Sequence, residues 1–219
     1  MNSTIKTDEH VFICGMTGTG KSFFAEAYLA NYEYVIKLDS KGEYDERKKK
    51  GLNPWRGLKE GVDFEMVRHL EQLPFCECPK IIYCPAEEEA DDEEFIDEFF
   101  RFCYERENTM VWVDELMSVA SASRCPHYLR IICTRGRSRN VALWACSQRP
   151  ADIPSIVTAN STHFIVYKLM KDADRKRMYA DTGCPEMLEN PKGKFTFWYF
   201  KNNGMENAIH AQLIEKKGG

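Results

Sequence analysis

The residues with the clearest chemistry lie in one short stretch, residues 15–22, whose sequence is GMTGTGKS. The spacing G-x-x-x-x-G-K-S is that of a P-loop, in which backbone N–H groups turn inward around the phosphates of a nucleotide. The glycines permit that turn, and Lys21 would place a positive charge between the β- and γ-phosphates. Ser22 would supply a ligand for Mg²⁺. The stretch therefore predicts a binding site for ATP and Mg²⁺.

The predicted nucleotide-binding residues run from this loop into the segment that follows it. They are Thr17, Gly18, Thr19, Gly20, Lys21, Ser22 and Phe23. Residues 10–14 before the loop are apolar, which is typical of a buried parallel strand, and residues 23–30 continue with a helical pattern. The start of that helix would add partial positive charge beside the phosphates. Strand, loop and helix agree with the motif, so a chance glycine-rich turn is the weaker interpretation.

A pair of carboxylates, Asp114 and Glu115, follows a second apolar run. In P-loop enzymes a strand beside the phosphate loop brings an aspartate to the Mg²⁺ shell, so Asp114 is predicted to join Ser22 in the metal site. Glu115 is predicted to polarise the water that attacks the γ-phosphate. With Lys21 stabilising the charge on that phosphate, the pattern indicates a nucleotide hydrolase.

Two further candidates follow in the next part of the chain. Arg135, Arg137 and Arg139 are spaced two apart around a glycine, with no adjacent run of acidic residues. An exposed arginine there could reach a nucleotide bound to a neighbouring subunit, although a solvated loop or a DNA contact would use the same residue type. Gln148 ends the apolar run that begins at Val141. It could hydrogen-bond the γ-phosphate or the attacking water, or instead cap the next turn.

The elements that must position these residues alternate between short apolar runs and amphipathic segments, which predicts an α/β fold with a mostly parallel central sheet flanked by helices. Residues 62–73 and 172–180 are predicted to be helical, and residues 40–44 a loop. Two apolar runs, 195–200 and 208–214, predict a C-terminal β-hairpin. The length of 219 residues suits one domain, residues 1–219, with a core at about 10–170 and a C-terminal helix and hairpin at about 171–215.

Composition narrows the function classes. Hydrophobic residues make up 43% and charged residues 29% of the chain, which is ordinary for a globular protein. No apolar run approaches the ~18 residues of a membrane helix, so we expect no transmembrane segment. The net charge of −4 argues against non-specific wrapping of nucleic acid. Two local basic runs, 47–50 and 168–177, leave a restricted DNA contact open.

Four segments together resemble the FtsK–HerA superfamily of P-loop ATPases, ring-forming motors that move double-stranded DNA. The segments are GMTGTGKS, the DSKGEY run at 39–44, the VWVDE run at 111–115, and SQRP at 147–150 after RGRSRN. The resemblance covers about residues 10–170. It is most specific where the family pairs an arginine-bearing turn with a strand that ends in Gln. It implies a RecA-like P-loop NTPase fold with the hairpin at an edge of the sheet.

The resemblance also implies a role for each matching residue. These are phosphate and Mg²⁺ binding for Lys21 and Ser22, the metal shell for Asp114, the catalytic base for Glu115, the sensor for Gln148, and an arginine finger inserted into the adjacent subunit for Arg137 or Arg135. We favour Arg137 because of its place in the G-R-x-x pattern. The implied assembly is a homo-oligomeric ring, expected to be a hexamer.

Larger family members carry accessory domains, whereas the P-loop here begins at residue 15 and we expect no further domain. The chain is therefore most similar to the small genome-packaging ATPases of icosahedral DNA viruses with an internal membrane. The resemblance implies a motor that packages double-stranded DNA into a preformed capsid. It would act in the host cytoplasm or the virion, with capsid or virion-membrane proteins as partners.

Other functions stay open on the sequence. One is a HerA-like DNA helicase or translocase of a cell or plasmid, and another is a phage assembly or export ATPase, whose relatives usually carry a membrane span. A small nucleotide kinase also has a P-loop and about this length, but it does not need a water-activating glutamate after the metal aspartate. The last is an interaction module that binds ATP without hydrolysing it.

Overall fold

Nine strands form one sheet in the computed structural model, which describes residues 5–213. The strands are β1 (Val11–Cys14), β2 (Val35–Leu38), β3 (Phe64–Val67), β4 (Lys80–Tyr83), β5 (Met110–Val113), β6 (Ala142–Ser147), β7 (His163–Tyr167), β8 (Thr196–Lys201) and β9 (Ile209–Gln212). Their order is β3-β4-β2-β5-β6-β1-β7-β8-β9. The pairs from β3 to β7 are parallel, and β8 and β9 join antiparallel beyond β7.

Helices pack on both faces of this sheet. They are α1 (Lys21–Leu29), α2 (Glu43–Lys49), α3 (Glu87–Ala90), α4 (Glu93–Arg106), α5 (His127–Arg135), α6 (Ser155–Asn160) and α7 (Asp172–Thr182). Successive strand residues point to opposite faces, so Phe12 packs with α4 and α5 in one hydrophobic cluster while Ile13 packs with α1 in another. Because both faces are covered, the central strands are continuously apolar. The α/β class with a mostly parallel sheet is confirmed.

The register brings the ends of several strands to one edge of the sheet. Cys14 at the end of β1 lies beside Ser147 of β6, and Val113 at the end of β5 lies beside Ala145. Leu38 at the end of β2 is paired with Val113 in turn. The loops after these strands therefore meet at the carboxyl edge, as parallel strands require.

The predicted helix at residues 62–73 is wrong. That segment holds β3 and a 3-10 helix at Leu70–Phe75. Phe64 pairs with Lys80 of β4, and the two ends of β3 are buried while its middle is half-buried. Pairing with β4 at the sheet edge overrides the weak helical pattern, because a four-residue strand is too short to show its own periodicity.

The predicted loop at residues 40–44 ends earlier than expected, because α2 begins at Glu43. The Asp39 carboxylate accepts the backbone N–H groups of Glu43 at 2.9 Å and Tyr44 at 2.7 Å. It thereby satisfies two donors that a helix start leaves without partners. Asp39 is almost fully buried, so the carboxylate anchors the loop between β2 and α2 from inside the fold.

The C-terminal hairpin is formed by β8 and β9 and lies at the edge of the sheet, as expected. Ile214, predicted as the last residue of its second strand, lies outside the described residues, as does Glu215 at the end of the predicted C-terminal segment. Within residues 5–213, no helix combines the length and apolar character needed to cross a membrane.

Candidate active site

The loop between β1 and α1 closes around its own lysine. Lys21 is buried, and its ammonium donates to the carbonyl oxygens of Gly15 at 2.7 Å and Met16 at 3.0 Å. Burial lowers the pKa of Lys21. Gly20 has a φ of 106°, a conformation that favours glycine, and a Cβ there would lie 2.8 Å from Leu213 Cδ1, so the Leu213 side chain would have to shift. The loop has the conformation of a phosphate cradle with a cation at its centre.

The residues predicted to hold Mg²⁺ are in contact. The Ser22 hydroxyl donates to the Asp114 carboxylate, whereas Asp114 Oδ1 is buried and has no hydrogen-bond partner within residues 5–213. Burial raises the pKa of Asp114, although the Lys37 ammonium opposes that shift. A hydroxyl and a carboxylate oxygen that lacks a partner are donors that suit a hard divalent cation. The pair therefore fits the Mg²⁺ that the sequence predicts.

Glu115 faces the same pocket, with its side chain 8% exposed. Its Oε2 accepts hydrogen bonds from Gln148 Nε2 at 3.0 Å and from the Lys41 ammonium at 3.0 Å. Gln148 Oε1 in turn accepts from the Thr17 hydroxyl at 2.9 Å. Hydrogen bonds thus connect the P-loop, the end of β6, the end of β5 and the loop after β2.

These groups line one open cavity of about 520 Å³, a volume typical of ligand pockets. The lining residues are Thr17, Gly18, Gly20, Lys21, Ser22, Phe23, Lys41, Arg56, Asp114, Glu115, Gln148, Phe195 and Leu213. Most of the predicted site is therefore gathered in one place. Thr19 is not among the lining residues, because its hydroxyl donates to the carbonyl oxygen of Met16 at 2.8 Å.

Arg135 and Arg137 are not gathered there. Arg137 lies in the 3-10 helix Gly136–Arg139, which precedes β6, whereas the pocket lies beyond the other end of that strand. The six residues of β6 span ~20 Å, so neither arginine reaches the pocket of its own chain. The Arg137 side chain is 65% exposed, and its nearest acidic partner is Asp8 at 3.8 Å.

The sequence offered no acidic residues near this arginine turn, but the fold supplies two. Besides Asp8 near Arg137, Glu107 pairs with Arg139 at 3.0 Å. Both acids are distant in sequence from the turn, so only the tertiary structure reveals them. The ion pair of the exposed Arg137 is longer, at 3.8 Å, than that of Arg139, at 3.0 Å.

Four lining residues were missed by sequence reasoning. Lys41 belongs to the DSKGEY run, which is one of the four segments that resemble the FtsK–HerA superfamily. The sequence therefore drew attention to this run, but no function was predicted for Lys41. Arg56 lies in a weakly patterned segment and places its guanidinium 4.6 Å from the centre of the Phe23 ring. Phe195 and Leu213 come from the base of the hairpin, where the Leu213 N–H donates to the Phe195 carbonyl oxygen at 3.0 Å. Only tertiary packing brings them to the P-loop.

The two basic runs differ in how far they are neutralised. In the first run, Arg47 pairs with Glu26 at 2.9 Å and Lys48 with Glu60 at 2.6 Å. In the second run, the exposed lysines Lys168, Lys171 and Lys176 form no ion pair with any residue between 5 and 213. The second run begins at the end of β7, next to the pocket.

A scan against protein-family models and a search of curated proteins found no match. Among solved structures, the chain is similar to the genome packaging NTPase B204 from Sulfolobus turreted icosahedral virus 2, solved with AMPPCP. The TM-score is 0.71 at 15% identity, covering 96% of this chain and 100% of that one. The chain shares the fold of that NTPase. The fold class expected from the FtsK–HerA resemblance, a RecA-like P-loop NTPase, is thereby confirmed.

Two other neighbours have the same fold with lower scores. VirB4 of Thermoanaerobacter pseudethanolicus gives a TM-score of 0.64 at 14% identity, covering 95% of this chain and 90% of that one. The cytoplasmic domain of the type VII secretion ATPase EccC from Thermomonospora curvata gives 0.59 at 15% identity, covering 97% of this chain and 26% of that one.

Proposed function

We propose that the chain is an ATP-hydrolysing motor that translocates double-stranded DNA and packages a viral genome into a preformed capsid. The observation that carries the proposal is the convergence of five predicted residues on one pocket: Lys21, Ser22, Asp114, Glu115 and Gln148. The higher TM-score to the packaging NTPase B204, 0.71 against 0.64 for VirB4 and 0.59 for EccC, supports packaging over the functions of those neighbours.

The pocket can support each part of ATP hydrolysis. The P-loop would hold the phosphates, and Mg²⁺, when bound by Ser22 and Asp114, would neutralise charge on their oxygens. Glu115 would take a proton from the attacking water, and Gln148, hydrogen-bonded to Glu115 at 3.0 Å, would orient that water. A kinase, which transfers the γ-phosphoryl group to a bound acceptor, does not need a water-activating glutamate after the metal aspartate, so Glu115 beside Asp114 favours water as the nucleophile.

The arginine turn supports a shared active site. Arg137 is exposed at the edge of the sheet opposite the pocket, so it would complete the pocket of a second copy of the chain. Contacts between unlike edges are heterologous, and such contacts form a ring when the rotation between successive copies closes. We propose a homo-oligomeric ring, expected to be a hexamer, with Arg137 rather than Arg135 as the finger.

The second basic run is the favoured contact for duplex DNA. Lys168, Lys171 and Lys176 are exposed, and the Lys168 carbonyl oxygen accepts the Met16 N–H of the P-loop at 2.9 Å. Phosphate contacts by such lysines would make binding salt-dependent. Because the backbone joins this run to the phosphate cradle, hydrolysis and DNA contact would be coupled.

The motor would act in the host cytoplasm or at the packaging vertex of the virion, with capsid or virion-membrane proteins.

The test is phosphate release from ATP as a function of protein concentration, with and without linear duplex DNA, at two salt concentrations. We expect the rate per subunit to rise steeply with concentration, and DNA to stimulate it more at low salt. Replacing Lys168, Lys171 and Lys176 by Gln should reduce the stimulation, whereas the same change at the neutralised Lys48 and the outer Lys49 and Lys50 should not. A phosphorylated nucleoside as product, or a concentration-independent rate unaffected by DNA, would contradict the proposal.

A further inference from the structure

Lys41 holds the carboxylate on which the proposed hydrolysis depends. It lies in the loop between β2 and α2, and its ammonium is 3.0 Å from Glu115 Oε2. The Lys41 side chain is 46% exposed whereas that of Glu115 is 8% exposed. The pair therefore joins a buried acid to a cation at the mouth of the pocket, and both line it.

The backbone around Lys41 is held by hydrogen bonds on both sides, whereas its side chain is partly exposed at the mouth of the pocket. The Asp39 carboxylate holds the start of α2 on one side of Lys41, and the Ser40 hydroxyl lies 2.5 Å from that of Ser118. Gly42 has a φ of 68° and turns the chain into α2. Because Lys carries a point charge on a flexible stem, the ammonium can change partners without movement of the loop.

A terminal phosphate would compete with Glu115 for this ammonium. Glu115 Oε2 already accepts from Gln148 Nε2 and from Lys41, which occupy both of its lone pairs, and Oε1 accepts the Gln148 backbone N–H at 3.4 Å. A phosphate bears more negative charge than one carboxylate, and it would lie in the same pocket at the P-loop. The stronger attraction would draw Lys41 across, which leaves Oε2 open to a water.

We propose that Lys41 is a positioning residue that restrains Glu115 until a γ-phosphate is bound and then moves onto that phosphate. ATP, but not ADP, would thereby release the base. The inference rests on the proposed ATPase function and adds to it a residue that distinguishes ATP from ADP by contacting the γ-phosphate. It also assigns a role to the lysine of the DSKGEY run.

The experiment measures the dissociation constants of ADP and of AMPPCP by calorimetry for the full chain and its variants. Lys41→Met should weaken AMPPCP roughly ten- to a hundredfold, as expected for a lost charged hydrogen bond, and leave ADP within about twofold. Lys41→Arg should restore most of the preference for AMPPCP. Lys49→Met removes the same charge from an exposed position on α2 and should change neither constant.

The outcomes separate this inference from the function it rests on. An unchanged ratio of the two constants in Lys41→Met, or an equal loss for both nucleotides, would overturn the role of Lys41 while the ATPase proposal stands. If the parent chain binds neither nucleotide, the proposed function itself fails. Should Lys41→Met not unfold cooperatively on heating, Lys41→Gln takes its place, with the same loss of AMPPCP preference expected.

Discussion

The two edges of the parallel sheet carry charged residues in opposite surroundings. At the carboxyl edge, Lys21 and Glu115 are buried and hydrogen-bonded within their own chain. At the amino edge, Arg137 is largely exposed, and its ion pair with Asp8 is 3.8 Å long. The charges of the first edge are thus held by close partners, whereas Arg137 at the second edge has only a longer ion pair within residues 5–213. The proposed shared active site assigns nucleotide binding to the first edge and completion of a neighbour's pocket to the second.

Loss of Arg137 should give the largest effect. We expect Arg137→Ala to lower ATP turnover by ~10³–10⁵, because an arginine finger contributes that much to the rate. Nucleotide binding should persist, since Arg137 is remote from the pocket of its own chain. Turnover is measured by phosphate release, with Arg139→Ala, whose partner is Glu107, as the control in the same turn.

Mixing variants sharpens this prediction. Arg137→Ala keeps an intact pocket and Glu115→Gln keeps an intact finger, so a mixture of two inactive proteins should regain activity at their shared interfaces. A mixture as inactive as its components would show that the two edges do not serve one site.

Loss of the predicted base should have the next largest effect. Glu115→Gln preserves the shape of the side chain but removes its proton-accepting charge, so turnover should fall by ~10²–10⁴. AMPPCP should still bind. Glu94→Gln, at an exposed carboxylate near the start of α4, is the matched control for lost charge. Turnover within a few-fold of the parent would remove Glu115 from the mechanism.

A fall in pH should also destabilise the fold, through a histidine at the amino edge of the sheet. His10 lies under the arginine turn, and its Nδ1 accepts the Leu143 N–H at 2.9 Å. Burial, with the nearby Arg137 charge, lowers the pKa of His10 to about 4. The unfolded chain therefore binds this proton at a higher pH, and stability should be lost as the pH falls from about 6.5 towards 4.

The loss through His10 is on the order of 3 kcal/mol in the free energy of unfolding, at about 1.4 kcal/mol per pKa unit. Urea unfolding at several pH values measures it. His10→Gln should flatten the slope between pH 6.5 and 4, and an unchanged slope would assign the acid sensitivity to other groups. Glu9 adds loss at lower pH: burial would raise its pKa, but hydrogen bonds from Lys6, His163 and Lys201 outweigh burial and lower the pKa to about 2.

A smaller effect is expected at the glycine of the arginine turn. A Cβ on Gly136 would lie 2.4 Å from the Val141 carbonyl oxygen and 3.5 Å from His10 Cε1. Gly136→Ala should therefore destabilise the fold by about 1–3 kcal/mol. Thermal unfolding measures the change, with Gly204→Ala, where a Cβ would meet only ordinary contacts with Lys201, as the control. Equal melting temperatures for both variants would mean that the turn accommodates a Cβ at position 136 without loss of stability.

The parts of the site that could be predicted from the sequence are those set by a local motif and by the geometry of parallel strands. The P-loop pattern and the two strand-end carboxylates are local, and parallel strands bring such ends to one edge, so the gathering of Lys21, Asp114 and Glu115 could be predicted. Side-chain contacts between residues that are far apart in the sequence could not be predicted. Nothing near Lys41 in the sequence indicates that its ammonium contacts Glu115, because a tertiary contact across two strands creates that pair.

The contact between Gly20 and Leu213 has a mechanical consequence. Leu213 follows β9, and its side chain lies so close to Gly20 that a Cβ at this position would be 2.8 Å from Leu213 Cδ1. The antiparallel β8–β9 hairpin at the edge of the sheet is therefore in direct reach of the P-loop. A movement of the P-loop would therefore be transmitted through Leu213 to this edge of the sheet.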